Sequence, residues 1–269
     1  VKGYYHGISP WTQKIDYAGV TPEDVSNNIY LDWNDTDALA KAFDDNKGQI
    51  AAVIAQPYMH NNFMDNTLPA KDFWQKARKL CTDNDAVLII DDVRAGFRLD
   101  LAGSDHYFGF EADLICFCKA LANGYNVSAL CGKEFLKNSV SSLSYTGSYW
   151  LSAVPFAAGI ACINKLKALD CPRILIEKGT KLKDGLISAA AKYGYDLHVS
   201  GVPSLFYLRI ADDPTLMLHQ EWIAECVRRG IFFTNHHNHF INASLTDEDI
   251  AETVAVADEA FAVIKERHS

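Results

Sequence analysis

The sequence predicts an α/β fold, with a mostly parallel sheet that carries helices on both faces and a smaller C-terminal α+β domain. Short apolar runs without polar alternation, such as "AAVIAQP" (51–57) and "AVLII" (86–90), are typical of strands buried on both faces. Helical patterns separate these runs, as the crossover connections of a parallel sheet require. After Cys171 the pattern changes, and the strands alternate apolar and polar residues. We therefore expect a large domain over residues 1–166 and a small domain over residues 167–269.

Composition and charge exclude several classes of function. The 269 residues are 49% hydrophobic and carry a net charge of −9, which argues against a nucleic-acid partner or an anionic membrane surface. No apolar run approaches the ~18 residues that span a bilayer, and no basic segment followed by an apolar one opens the chain as in a secretory signal. The seven cysteines are odd in number and several lie in apolar segments, which favours reduced thiols. We expect a cytoplasmic protein.

The elements of the large domain follow from capping and periodicity. A helix over 35–43 begins at a capping Asp or Thr. A strand over 49–57 ends at Pro57, and a helix over about 68–82 places Phe73, Ala77 and Leu80 on one face. The remaining predicted elements are strands at 86–90, 113–118 and 128–132 and a long helix at 152–169.

The small domain is predicted in the same way. Its elements are, in order, a helix at 172–194, a strand at 204–210, a helix at 215–230 ending at a glycine, two paired strands at 231–235 and 239–244, and a capped helix at 245–267. Together these elements form an antiparallel α+β arrangement.

Polar residues follow three of the predicted parallel strands. Gln56 follows "AAVIA", Asp91 and Asp92 follow "VLII", and Lys119 follows "LICFC". Ligands of open parallel sheets lie beyond the carboxyl ends of the strands. Lys119 comes 28 positions after Asp91, one strand–helix–strand step, so an acid and an amine should meet at one crevice. In apolar surroundings such a lysine loses ammonium character and becomes a usable nucleophile.

Other interpretations of these residues compete with a ligand-binding crevice. A lysine after a strand is often a solvated loop residue. Two acids after an apolar strand also occur in P-loop NTPases, but the required GxxxxGK[ST] is absent from the sequence. The cluster "NHHNH" (235–239) suggests a metal site, yet its histidines fall in a turn without further ligands at a matching spacing, so we expect no metal.

Several segments, in this order, resemble the class III aminotransferases, which are pyridoxal-phosphate (PLP) enzymes of fold type I. "GYYHG" (3–7) resembles the family's Tyr-His-Gly turn, "AAVIAQP" its strand ending in Glu-Pro, and "LIIDDVRAGFR" (88–98) its Asp-Glu-Val…Gly-Phe-Arg motif. "ADLICFCKALANGYNVSALCGK" (112–133) resembles the segment around its Schiff-base lysine, and residues 239–261 its terminal strand and helix. Within the family the sequence is most similar to glutamate-1-semialdehyde aminomutase and its relatives.

The resemblance implies a role for each residue of the cofactor site. Asp91 faces the pyridine nitrogen of PLP and keeps it protonated. Lys119 is the catalytic residue, which carries the cofactor as an aldimine and moves the proton at the substrate Cα. Val93 packs on one face of the ring and Tyr5 on the other, while His6, in the same turn as Tyr5, also belongs to the cofactor site.

Four positions depart from the family pattern or extend it. Asp92 replaces the usual Glu and is expected to make a supporting contact. Gln56 also replaces a Glu, so the charge of that position is lost. Ser148, or else Thr146, offers the hydroxyl that the partner subunit lends to the phosphate. Arg209 lies within a strand pattern and is interpreted as structural, not as a grip for an α-carboxylate.

The chain opens without Met, and we expect it to come from a longer protein. The family's phosphate-binding loop would lie before Val1, so the large domain would lack its N-terminal portion. The 269-residue chain is therefore expected to bind PLP weakly and to be at least a dimer.

The resemblance implies amino-group transfer by a transaminase or aminomutase. The substrates would be a small amine or amino acid together with a keto acid or aldehyde, and the enzyme would be a homodimer with a shared active site. A PLP-dependent epimerase or decarboxylase, or a non-catalytic scaffold, remains as an alternative.

Overall fold

The computed structural model describes Glu23, residues 26–145 and residues 147–269. The described chain forms two compact units. One contains the residues up to Met59 together with Pro69–Asp170, and the other contains His60–Leu68 and Cys171–Ser269. His60–Leu68 therefore belongs to the second unit although both of its sequence neighbours belong to the first.

The first unit is built on a four-stranded sheet with the order β1-β2-β3-β4. The strands are β1 (Ala52–Ala55), β2 (Val87–Asp91), β3 (Leu114–Phe117) and β4 (Ala129–Gly132). The first three are parallel, and β4 is antiparallel to β3. The prediction of a mostly parallel sheet is confirmed.

The helices of the first unit are α1 (Thr36–Asp45), α2 (Phe73–Asp83), α3 (Ser104–Tyr107), α4 (Lys137–Ser141) and α5 (Ala153–Leu169). The predicted cap of α1 is present, because the Asp35 carboxylate accepts a hydrogen bond from the backbone N–H of Ala38 at 2.8 Å. Trp74 of α2 is buried in the core and donates its indole N–H to the carbonyl oxygen of Pro57.

The two faces of this sheet differ in burial. On one face Leu88, Ile90 and Ile115 are buried against apolar side chains of α1 and α2. On the other face, Ile89 and Asp91 keep part of their surface exposed. Successive residues of a strand point to opposite faces, so Asp91 and Asp92 leave the end of β2 in opposite directions.

The second unit combines three helices with a three-stranded antiparallel sheet of order β5-β6-β7. Its elements are α6 (Cys171–Lys192), β5 (Leu197–Val202), β6 (Leu205–Ile210), α7 (Met217–Arg228), β7 (His239–Phe240) and α8 (Asp247–Arg267). The predicted cap of α8 is a capping box between Thr246 and Asp249. No helix among the described residues is long and apolar enough to cross a membrane.

Two predictions for this unit are wrong. Residues 231–235 form no strand, and β7 pairs with β6 instead. The apolar character of the segment serves packing, since the Phe233 ring stacks on Trp222 with centroids 5.2 Å apart. Strand β5 was not predicted, because "LHVSGV" contains His198, Ser200 and Gly201 and shows no clean alternation. Its pairing with β6 is a tertiary contact.

Candidate active site

Strands β2 and β3 bring Asp91 and Lys119 to the same end of the sheet. Asp91 is the last residue of β2 and lies opposite Cys116 of the parallel strand β3. Lys119 follows three residues later, just beyond the end of β3 at Phe117. In β1, Ala55 lies opposite Ile90, so the chain continues into Gln56 at the same end. The three strands that precede Gln56, Asp91 and Lys119 thus end on the same side of the sheet, as the sequence predicts.

Asp91 is half-buried and lies on the face of the sheet opposite to Leu88 and Ile90. Burial raises the pKa of this carboxyl above its ordinary value, while the backbone N–H of Val93, at 3.2 Å from Oδ1, and the charges of Lys119 and Arg94 lower it. The Lys119 amine therefore acts electrostatically on Asp91. A partly desolvated carboxylate gains most from a fixed positive partner.

Lys119 begins a 3₁₀ turn, Lys119–Leu121, and has a left-handed backbone with φ 41°. A non-glycine residue in this region is strained, and such strain is common at functional sites. The turn is held by a hydrogen bond from the N–H of Leu121 to the carbonyl of Cys118 at 2.8 Å. The Lys119 side chain is exposed in this chain, so the apolar surroundings expected from the sequence are not provided by the described residues.

Asp92 and Arg94, which follow Asp91 closely in the chain, are both buried. Asp92 is fully buried and accepts two hydrogen bonds from Ser104, which is the supporting contact that the sequence predicted without its partner. Arg94 is 4% exposed and its charge lowers the pKa of Asp91. The sequence analysis missed Arg94 and Ser104. For Arg94 a signal existed, since it lies three residues after Asp91 within "DDVRAGFR".

Of the other predicted cofactor residues, the structure describes only Val93 and Ser148. Val93 is half-buried directly after the two aspartates. Ser148 is exposed in the loop before α5 and makes no hydrogen bond to Asp91 or Lys119 within the described part of the chain. Tyr5, His6 and Thr146 lie outside the described residues. The contacts of these residues with a cofactor stay a prediction.

The Arg209 guanidinium is hydrogen-bonded to acceptors within the second unit. Its Nε and Nη2 atoms donate to the two carboxylate oxygens of Asp65, at 3.0 and 2.7 Å, and its Nη1 donates to the carbonyl of Ala211 at 2.9 Å. All three guanidinium nitrogens therefore have acceptors. The structural interpretation of Arg209 agrees with this geometry.

The 235–239 turn holds the segment His60–Leu68. The carbonyl of His236 accepts a hydrogen bond from the backbone N–H of Phe63 at 3.1 Å, and the Asn66 amide donates to the Asn238 side chain at 2.5 Å. Within the residues that the structure describes, no group of three or more His, Cys, Asp or Glu could hold a metal ion. The two hydrogen bonds to Phe63 and Asn66 give the turn a structural role in the second unit.

Comparisons with known proteins agree with this geometry. A family model described as aminotransferase class-III matches residues 2–260. The chain is 37% identical over 263 residues to an aminopentol aminotransferase of Sphingopyxis macrogoltabida, covering 98% of the chain and 62% of that protein. It is 31% identical over 265 residues to a glutamate-1-semialdehyde 2,1-aminomutase of Psychrobacter arcticus, covering 91% of the chain and 60% of the relative.

A solved structure is also similar over nearly the whole chain. It is the PLP internal aldimine form of the FumI protein of Sphingopyxis sp. MTA144, with a TM-score of 0.94 and 36% identity, covering 99% of this chain and 64% of the other. The chain thus spans 60–64% of the length of these relatives. The predicted resemblance and the fold type I architecture are confirmed. The chain belongs to the class-III aminotransferase family.

Proposed function

We propose that the full-length protein transfers an amino group between a small amine or amino acid and a keto acid or aldehyde, with PLP as its cofactor. The observation that carries this proposal is that Asp91 ends β2 and that Lys119 follows the end of the adjacent parallel strand β3. The family and the names of its relatives support the same reaction.

The residues present fit this cofactor. A half-buried carboxylate suits a protonated ring nitrogen, and a primary amine suits an aldehyde carbon. When bound, PLP supplies that aldehyde and a ring that takes up the electrons released as a Cα–H bond breaks. Asp91 would hold the proton at the ring nitrogen. Lys119 would bind the cofactor through its amine and would carry the proton to and from the substrate Cα.

A second form of the reaction is an intramolecular one. The relative in Psychrobacter arcticus is named as an aminomutase, and an aminomutase moves the amino group within one molecule. The residues that would hold the cofactor and move the proton are the same in both cases. The product of a single half-reaction distinguishes the two.

A panel of amines, amino acids and amino compounds that carry a neighbouring aldehyde or ketone, offered singly to the holoenzyme without a separate acceptor, should separate these possibilities. For a transaminase we expect one equivalent of carbonyl compound per bound cofactor, because the amino group stays with the cofactor until an acceptor arrives. For an aminomutase we expect repeated turnover of one substrate to its isomer. Racemised substrate or released carbon dioxide, without amino-group transfer, would contradict the proposal.

The first unit exposes an apolar surface along α5 and the loop before it. Helix α5 is apolar apart from polar residues in its last two turns, yet Gly159 is its one buried residue. Apolar helix surface of this kind is normally covered by packing. The helix and the loop before it expose several large apolar side chains: Leu143, Tyr145, Tyr149, Trp150, Leu151, Val154, Phe156 and Ile160. Contiguous apolar patches mark interaction surfaces.

We assign this surface to a homodimer with a shared active site, in which Ser148, within the same loop, reaches the partner's cofactor phosphate. We further assign cofactor binding to a large domain over 1–166, apart from His60–Leu68, which pack in the second unit, and the remaining residues 167–269 to the small domain. The seven cysteines form no disulfide, which fits a cytoplasmic location.

Ile160→Glu should weaken the dimer, because Ile160 is 63% exposed in the single chain and the new charge would have to be buried at the interface. Sedimentation at several concentrations measures this. The matched control is Lys167→Glu, which changes an exposed polar position on the same helix and should sediment like the wild type. An Ile160→Glu variant that dimerises as tightly as the wild type would show that the interface lies elsewhere.

A further inference from the structure

Asp92 makes the best-defined side-chain contact near the candidate site. Its Oδ2 accepts from the backbone N–H of Ser104 at 2.9 Å and its Oδ1 from the Ser104 hydroxyl at 2.5 Å. Both residues are fully buried. Burial raises the pKa of the Asp92 carboxyl to about 7, the Ser104 bonds oppose this rise, and the charges of Asp105 and Asp91 add to it. One serine therefore satisfies both oxygens of a costly buried acid.

Ser104 is itself fixed against the neighbouring strand. It begins α3 directly after Gly103, whose φ of 125° is open to glycine and strained for other residues. A Cβ at Gly103 would lie 2.8 Å from the side chain of Ile115 in β3. The two donors of Ser104 thus have a position set by close packing on β3.

The chain after Asp92 is held in the same way. The N–H of Gly96 donates to the carbonyl of Asp92 at 2.8 Å. A Cβ at Gly96 would lie 2.6 Å from that carbonyl oxygen and 2.8 Å from the ring of Phe117 in β3. The backbone of Asp92 is therefore anchored through its side chain and through its carbonyl.

Asp91 depends on this anchor. Its side chain leaves the opposite face of β2, and the hydrogen bond that its Oδ1 accepts from the N–H of Val93 is comparatively long, 3.2 Å. The direction of the Asp91 carboxylate therefore follows from the backbone at residues 91–92 more than from its own contacts. A small rotation of that backbone would move the carboxylate, and misplacement by 1 Å costs about 10²-fold in a reacting geometry.

We propose that Ser104 is a positioning residue, which aims the Asp91 carboxylate at the cofactor by holding Asp92 with its N–H and its hydroxyl. This inference rests on the proposed function, in which Asp91 contacts the cofactor. Asp92 stands where the resemblance places a Glu, and a side chain longer by one methylene would have to fold back to meet the same two donors. The pairing with Ser104 is thus suited to the aspartate of this chain.

The test compares Ser104→Ala with Ser188→Ala in the full-length holoenzyme. Ser188 is an exposed serine of α6 that donates to the carbonyl of Asp184, and its loss should change nothing. In Ser104→Ala we expect kcat to fall about tenfold with KM within about threefold of the wild type. The pH midpoint of the bound cofactor's absorbance should also shift, because the ring nitrogen has lost its aligned carboxylate. A merely structural serine would not move that midpoint.

Two further variants separate the role of the Ser104 hydroxyl from a failure of the alanine variant to fold. Ser104→Thr retains both donors and should restore kcat and the midpoint, whereas a threonine variant as impaired as the alanine one would overturn the role of the hydroxyl. Asp92→Ala removes both acceptors, so it reports the same shift if Ser104→Ala does not fold. A wild-type midpoint in either Ser104→Ala or Asp92→Ala would also overturn the inference. If the wild type itself binds no PLP at Lys119, the proposed function fails instead.

Discussion

Lys119→Ala is expected to abolish turnover while the protein stays folded. The amine that would bind the cofactor and move the substrate proton is removed, and alanine offers no replacement. The Lys119 side chain is exposed, so its loss should change the free energy of unfolding by no more than ~0.5 kcal/mol. Turnover with an amine donor and denaturant unfolding measure the two effects separately.

Chemical labelling checks the same residue independently. Borohydride reduction of the holoenzyme should fix the cofactor to the peptide containing "CFCKALANG" (116–124). Lys137→Ala is the matched control, since Lys137 is exposed and pairs with Glu134 in the same unit, and this variant should retain both label and activity. A label on any lysine other than Lys119 would contradict the site assignment.

Asp91→Asn should slow the proton-transfer step by about a hundredfold or more, or ~3 kcal/mol at ~1.4 kcal/mol per factor of ten. Asparagine keeps the shape and can still accept the hydrogen bond from the N–H of Val93. It lacks the charge that holds the proton on the ring nitrogen. Single-turnover kinetics with a Cα-deuterated amine would identify the slowed step.

Asp83→Asn is a control for this variant. The Asp83 carboxylate lies on the surface at the end of α2 and pairs with Lys79 at 2.6 Å. It makes no contact with the strand ends in the described part of the chain, so its variant should turn over like the wild type. Similar rates for Asp91→Asn and the wild type would show that another carboxylate faces the cofactor.

Much of the fold followed from local patterns. Apolar runs without alternation predicted the parallel strands β1, β2 and β3, and the caps at Asp35 and Thr246 predicted the starts of two helices. These signals are local because a cap is completed within one turn and a buried strand is apolar along its length. Strand β5 was missed, because its sequence shows neither an apolar run nor a clean alternation and only its pairing with β6 identifies it.

By itself, the sequence determined that an acid and an amine, Asp91 and Lys119, would follow neighbouring strands. Their spacing of one strand–helix–strand step carries that information. Only the tertiary structure decided that Ser104 holds Asp92, that Arg94 is buried where its charge acts on Asp91, and that His60–Leu68 packs in the second unit. Hydrogen bonds and burial of this kind depend on chain segments brought together by folding, and no local pattern specifies such partners.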